Sequence, residues 1–190
     1  MKFIVIICII LTLIIIYSQV LCEKFEAVKM MANDNKMYYV QEYSNNKGAA
    51  NILSKLVKNS LLLIENLDKK YPNNQKVKRL KEKFNPDKIR EAEHEKDTTS
   101  YTINKGEMMH LCLRHKNSEK TLHDENLLMF VIIHELAHVM SKTIGHNSEF
   151  YENFKFLLEE SSNIGIYIPV NFEKTPVKYC GIDVTNNPLF

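Results

Sequence analysis

Residues 130–150 read FVIIHELAHVMSKTIGHNSEF and place His134, Glu135, His138 and His146 in and beside an otherwise apolar run. A helix that only filled a core would carry Leu or Ala there, because burying an imidazole or a carboxylate without a partner costs roughly several kcal/mol. His134 and His138 are four residues apart, so on an α-helix both rings lie on one face and can converge on one ion. Zinc takes a third protein ligand and leaves its fourth position to water when the site is catalytic. His146, directly after Gly145, supplies that ligand if the chain turns there and the next helix packs back across the first. Glu135 then stands beside the ligands, where a carboxylate can take a proton from the attacking water as general base.

The third ligand has an alternative. In the pattern H-E-x-x-H-x-x-G-x-x-H the glycine would fall at Ser141 and the last histidine at Ile144, so that arrangement fails. A glutamate from the following helix, Glu159 or Glu160, lies at a suitable distance along the chain. His146 is better placed, because the helix signal resumes immediately after the Gly145 turn.

Working outward from the motif, Asp124 is a suitable N-cap for a helix that runs through Leu127, Leu128, Phe130 and Val131 into His134. Apolar residues surround this helix, which predicts a central position. Residues 148–160 predict a further helix carrying Phe150, Phe154, Leu157 and Leu158. Upstream, residues 99–103 and 108–114 flank the turn signal Asn104-Lys105-Gly106 and predict a β-hairpin, with residues 108–114 as its edge strand. Residues 49–71 show an apolar stripe of Leu53, Leu56, Leu63 and Leu67, stopped by Pro72, and residues 74–84 a shorter one. Residues 23–47 are polar and weakly patterned and are expected to form a tether with some helix. The pattern is that of an α+β protein.

The chain has 190 residues and 45% apolar content, enough for a core in one domain with an appendage. Its 25 basic and 23 acidic residues leave a net charge of +2, so no nucleic-acid partner is expected. The N-terminus, MKFIVIICIILTLIIIYSQVLCEKF, is nearly unbroken hydrocarbon, close to the roughly 20 residues that span a bilayer. It is expected to be a retained single-pass anchor, with a cleaved signal as the alternative, since Val20 and Cys22 are small enough for a cleavage site. The expected organisation is a membrane anchor at 1–22, a tether and helical region at 23–84, and the chemical core at 85–190. Cys112 and Cys180 are the two cysteines of the folded part, and either a bridge or two buried thiols would suit them. His94, His110, His115 and His123 lack ligand spacing and are expected to be ordinary surface residues, although His110 could face the cleft.

The segment Gly145-His146 followed by Phe150 resembles the WLM and SprT-like zinc metallopeptidases, in which a GH-x-x-x-F segment supplies the third zinc histidine. LCLRHK at 111–116, ENLLMFVIIHELAH at 125–138, GHNSEFYENFKFLLEE at 145–160 and YCGIDVTNNP at 179–188 are similar to metallopeptidases of large DNA viruses that carry an N-terminal hydrophobic segment. The resemblance implies a minimal zincin-like fold with a small, mostly antiparallel sheet, a bound Zn2+ ion and hydrolysis of peptide bonds. The membrane segment departs from the nuclear members, so their DNA-repair role is not carried over.

Two functions from different classes follow. The first is a membrane-anchored zinc metallopeptidase acting on a peptide or protein substrate, with His134, His138 and His146 on the metal and Glu135 as base. The second is a non-catalytic membrane or virion-envelope protein in which zinc only stabilises the fold. Glu135 favours the first, because a purely structural site has no use for a general base. Tyr167 and Tyr179 are candidates for stabilising the oxyanion.

Overall fold

A computed structural model describes residues 27–93 and 99–190. The expected membrane segment, with Cys8 and Cys22, and also His94, lie outside the described residues. Among the described residues no helix is long and apolar enough to cross a membrane.

In chain order the elements are β1 (Ala27–Met31), β2 (Met37–Gln41), α1 (Asn46–Lys70), α2 (Gln75–Lys83), β3 (Ile89–Glu91), β4 (Tyr101–Ile103), β5 (Met108–Leu111), α3 (Glu125–Met140), α4 (Ser148–Asn163), β6 (Val177–Tyr179) and β7 (Ile182–Val184). Helix α3 is the centre, with α1, α2 and α4 packed against it. Its start is the one the sequence signals: Asp124 Oδ1 accepts from the Asn126 and Leu127 amides at 2.9 and 3.1 Å, which satisfies two of the first-turn donors. Buried residues occur on nearly every face of this helix, from Leu127 to Met140. It therefore cannot be read by an apolar stripe, unlike α1, whose Leu53, Leu56, Leu63 and Leu67 all turn inward.

Strands β3, β5 and β4 form a three-stranded sheet in that order, with β5 parallel to β3 and antiparallel to β4. The hairpin expected around Asn104-Lys105-Gly106 is present, but its edge strand is not the one the sequence suggests. Strand β5 is central because the short β3 takes its other side, and β4 is left at the edge. The turn needs its glycine: Gly106 has φ +111°, and an added Cβ would lie 2.5 Å from the Lys83 carbonyl oxygen at the end of α2.

Residues 23–47 are expected to be a tether with some helix; helix enters only at the end, where α1 starts at Asn46, and residues 27–41 form instead an antiparallel hairpin, β1 with β2, in register from Ala27 opposite Gln41 to Met31 opposite Met37. The reason is tertiary. Tyr38 and Val40 alternate inward against α1, and Gln41 bonds to Glu91 and Ala92 at the start of the next sheet. Alternation over only five residues, with Tyr39 on the outer face, was too short a signal to stand out. One hydrophobic core runs from Ala32 to Cys180, so the residues before 85 and those after it share it.

Cys112 and Cys180 form a disulfide with Cα atoms 6.4 Å apart, which settles the choice between a bridge and two thiols. It ties the end of β5 to the turn between β6 and β7. Tyr179 reinforces the joint by donating its hydroxyl to the Cys112 carbonyl at 2.9 Å. The bridge closes a loop of 68 residues, so reduction is expected to lower unfolding stability by about 2–5 kcal/mol. Denaturant titrations with and without reductant measure this; coincident curves would show that the bridge contributes nothing.

Candidate metal centre

Helix α3 presents His134 and His138 on one face, and the loop after Met140 returns His146 to them. Two side chains fix that loop. Lys105 Nζ, from the β4–β5 turn, donates to the carbonyls of Ser141, Lys142 and Thr143 at 2.8, 2.8 and 2.6 Å. It thereby places a cation at the C-terminus of α3, where free carbonyls and the helix dipole favour one. From the other side, Glu149 accepts from the Lys142 and Thr143 amides, both at 3.0 Å, and from the Thr143 hydroxyl at 2.6 Å. These bonds, the Thr143 hydroxyl first, hold its carboxyl far below the usual range, at about 2. Gly145 adopts φ +85°, and Asn147 then caps α4 by accepting from the Phe150 amide at 3.2 Å.

The outcome is convergence. His146 Nε2 lies 3.0 Å from His134 Nε2 and 3.1 Å from His138 Nε2. Hydrogen bonds alone do not account for this. A neutral ring offers one N–H and one lone pair on two different nitrogens, so a single Nε2 cannot donate to one neighbour and accept from the other. Three lone pairs facing one point are satisfied together by a cation, and ligands each roughly 2.0–2.1 Å from one zinc ion have separations of this size. The three histidines form the one cluster of metal-type ligands found among the described residues. Burial, aided by the neighbouring rings, pulls His134 down to about 3, and burial pulls His138 down to about 4, which keeps both rings neutral with lone pairs free. Phe150 backs the cluster, its ring centroid 4.3, 4.6 and 4.8 Å from those of His138, His146 and His134.

The alternative third ligand is engaged elsewhere. Glu160 accepts from Lys70 Nζ and from the Tyr71 hydroxyl, and Glu159 is exposed.

Glu135 is 3% exposed and points at the same space without joining the histidine cluster. Its Oε2 accepts from Thr102 Oγ1 at 2.8 Å. Burial raises its carboxyl to about 7 against that hydrogen bond. Thr102 is a site residue that sequence reasoning missed, since a threonine on a three-residue strand carries no motif. Two cavities meet at His134 and Glu135: a wider one along Tyr101, Thr102, Asn104 and Lys105, and a smaller one with an apolar floor toward Phe130 and Phe154.

The other sequence candidates are not in the site. His110 is buried and stacks on Tyr101 with ring centroids 4.7 Å apart. It does not line either of these cavities. His123, expected at the surface, is buried with Nε2 3.4 Å from the sulfur of Cys180. Tyr167 is buried, accepts from Asn187 and lines neither of these cavities. Tyr179 lines the smaller cavity, but its hydroxyl is taken by Ser100 at 2.5 Å and by the Cys112 carbonyl.

This chain belongs to the WLM domain family, whose model matches residues 32–187. That family is associated with zinc and with metallopeptidase activity. The chain is 35% identical over 159 residues to an uncharacterised protein of Acanthamoeba polyphaga mimivirus, covering 82% of this chain and 80% of that protein. It is 44% identical over 87 residues to an uncharacterised protein of Invertebrate iridescent virus 3, covering 45% of this chain and 52% of that one. A protein of Invertebrate iridescent virus 6, also uncharacterised, is 42% identical over 69 residues, 36% of this chain and 38% of its own length. No solved structure matches.

Proposed function

We propose that this protein is a zinc-dependent peptidase with a minimal zincin-like site, anchored to a membrane by its N-terminal segment. The observation that carries the reading is the meeting of three histidine Nε2 atoms beside a carboxylate that does not share their point of convergence. A site serving stability alone is ordinarily closed by a fourth ligand and has no use for such a carboxylate.

Zinc held by His134, His138 and His146 would polarise a peptide carbonyl and acidify water. The remaining work falls to this chain's side chains. Glu135 orients the attacking water with one oxygen, accepts its proton and delivers it to the leaving amine. Thr102 holds the other oxygen. Edge strand β4, whose Tyr101 and Thr102 line the wider cavity, offers backbone groups to an extended peptide, which would add to the sheet beside Glu135.

Metal analysis of the full-length chain, paired with cleavage of a diverse peptide library, tests the proposal. One zinc per chain is expected, falling to well under half in His146→Ala. A full zinc complement without cleavage of any peptide would sink the peptidase reading and favour a structural zinc in a membrane or virion-envelope protein.

The clamp on the His146 loop makes a separate expectation. Lys105→Met removes three hydrogen bonds from the carbonyls of 141–143, and zinc affinity should fall by roughly 10- to 100-fold, the usual effect of losing a group that orients ligands. Competition with a chelator measures it. Unchanged affinity would show that Glu149 holds the loop without help.

A further inference from the structure

The smaller cavity beside Glu135 has a volume of about 310 Å³, and a peptide bound for hydrolysis would have to pass its mouth. Phe130 and Val131, one helical turn before His134 and Glu135, and Phe154 of α4 form its floor. Val184 of β7 and Pro188 close the outer wall, and Ile182, half exposed at 50%, stands at the rim. The wall is built to stay in place. The β6–β7 hairpin is tied by the disulfide to β5. Beyond β7, Asn187 donates to the Tyr167 hydroxyl at 2.9 Å and to the Val170 carbonyl at 2.8 Å.

The wider cavity, of about 540 Å³, shares Thr99, Ser100, His134, Glu135 and Ile182 with this one. The two cavities therefore meet where the reacting bond would lie, and a chain crossing from one to the other would set a side chain over the floor of Phe130, Val131 and Phe154. We infer that the smaller cavity is a specificity subsite for one large apolar side chain, leucine or phenylalanine in size, directly adjacent to the scissile bond. The inference rests on the peptidase reading and names its substrate class. An apolar group on the floor exchanges water for Phe130, Val131 and Phe154, while the polar lining residues Asp183, Thr185 and Asn186 are exposed at the mouth, so a polar group of the same shape that reaches the floor loses water without gaining them as partners.

Binding of peptidyl hydroxamates to the zinc-loaded, full-length chain separates the two ideas. Acetohydroxamate reads the metal alone. Hydroxamates carrying a leucine or an asparagine side chain next to the metal-binding group read the cavity, since the two side chains have nearly the same shape. The leucine compound is expected to bind at least about tenfold more tightly than the asparagine compound. In Val184→Phe, which fills the cavity from its outer wall, that ratio should fall toward one while acetohydroxamate binds as before. Equal affinity of the two compounds in the wild type would overturn the subsite and leave the peptidase reading standing, as would a leucine preference that survives unchanged in Val184→Phe. Failure of all three to bind would overturn the subsite together with the metal centre.

Discussion

Glu135→Gln is expected to retain its zinc while cleavage of any library substrate falls by roughly two to four orders of magnitude, the usual loss for a positioned general base. The amide keeps the shape of the side chain and an oxygen that can accept from Thr102 Oγ1, now 2.8 Å from the carboxylate, so the fold around it has no reason to change. It cannot take a proton from water or return one to the leaving amine. Because Glu135 stands outside the point where His134, His138 and His146 meet, the metal count should be unaffected. Measuring zinc content and kcat/KM on the same preparation separates chemistry from folding. A variant as active as wild type would remove Glu135 from the mechanism, and one that has lost its zinc would make it a ligand or a support of the ligands.

Arg114→Met is expected to lower unfolding stability by about 3–5 kcal/mol, because it leaves a buried carboxylate uncompensated. Arg114 and Glu91 have side chains only 1% and 2% exposed, and Arg114 Nε donates to Glu91 Oε1 at 2.7 Å. The other Glu91 oxygen accepts from the Gln41 amide at 2.7 Å, and the guanidinium lies 4.9 Å from the centroid of Tyr43. One ion pair thus joins β2, β3 and the chain after β5. Burial pushes the Glu91 carboxyl up while Arg114 and the Gln41 amide pull it back, so removing the arginine leaves a single hydrogen bond against the cost of burial. The double variant Glu91→Leu with Arg114→Met should recover most of the loss, since two apolar groups of similar size leave no buried charge. Denaturant midpoints of the three variants check this; a single variant within about 1 kcal/mol of wild type would show that water reaches the pair.

The parts of the fold legible in the sequence are those decided by short-range patterns. Helix α3 begins at the cap residue Asp124, α1 ends beside Pro72, and the hairpin turns at Gly106, each from the local geometry of a cap, a proline or a positive φ. The helical spacing of His134 and His138 likewise set two imidazoles on one face before any packing was known. Illegible were the groups that meet only across elements. Lys105 is one lysine among many until the turn carries it to the end of α3, and Arg114 reads as a strand-end charge until Glu91 is found opposite it. Phe150 looked like core, and it is also the surface on which three histidines rest.

What the sequence singled out by itself is the three histidines that converge and the glutamate beside them, because spacing along one helix and a glycine turn are properties of the chain alone. Tertiary structure decided the rest of the site. Strand β3 takes one side of β5 and leaves β4 at the edge, and Thr102 of that strand comes to Glu135. The disulfide draws the β6–β7 hairpin to β5, and that hairpin supplies the wall of the smaller cavity. Each depends on pairing between residues far apart in the chain, where the free energy of burial and of hydrogen bonding is shared among many partners and leaves no periodic trace in the local pattern.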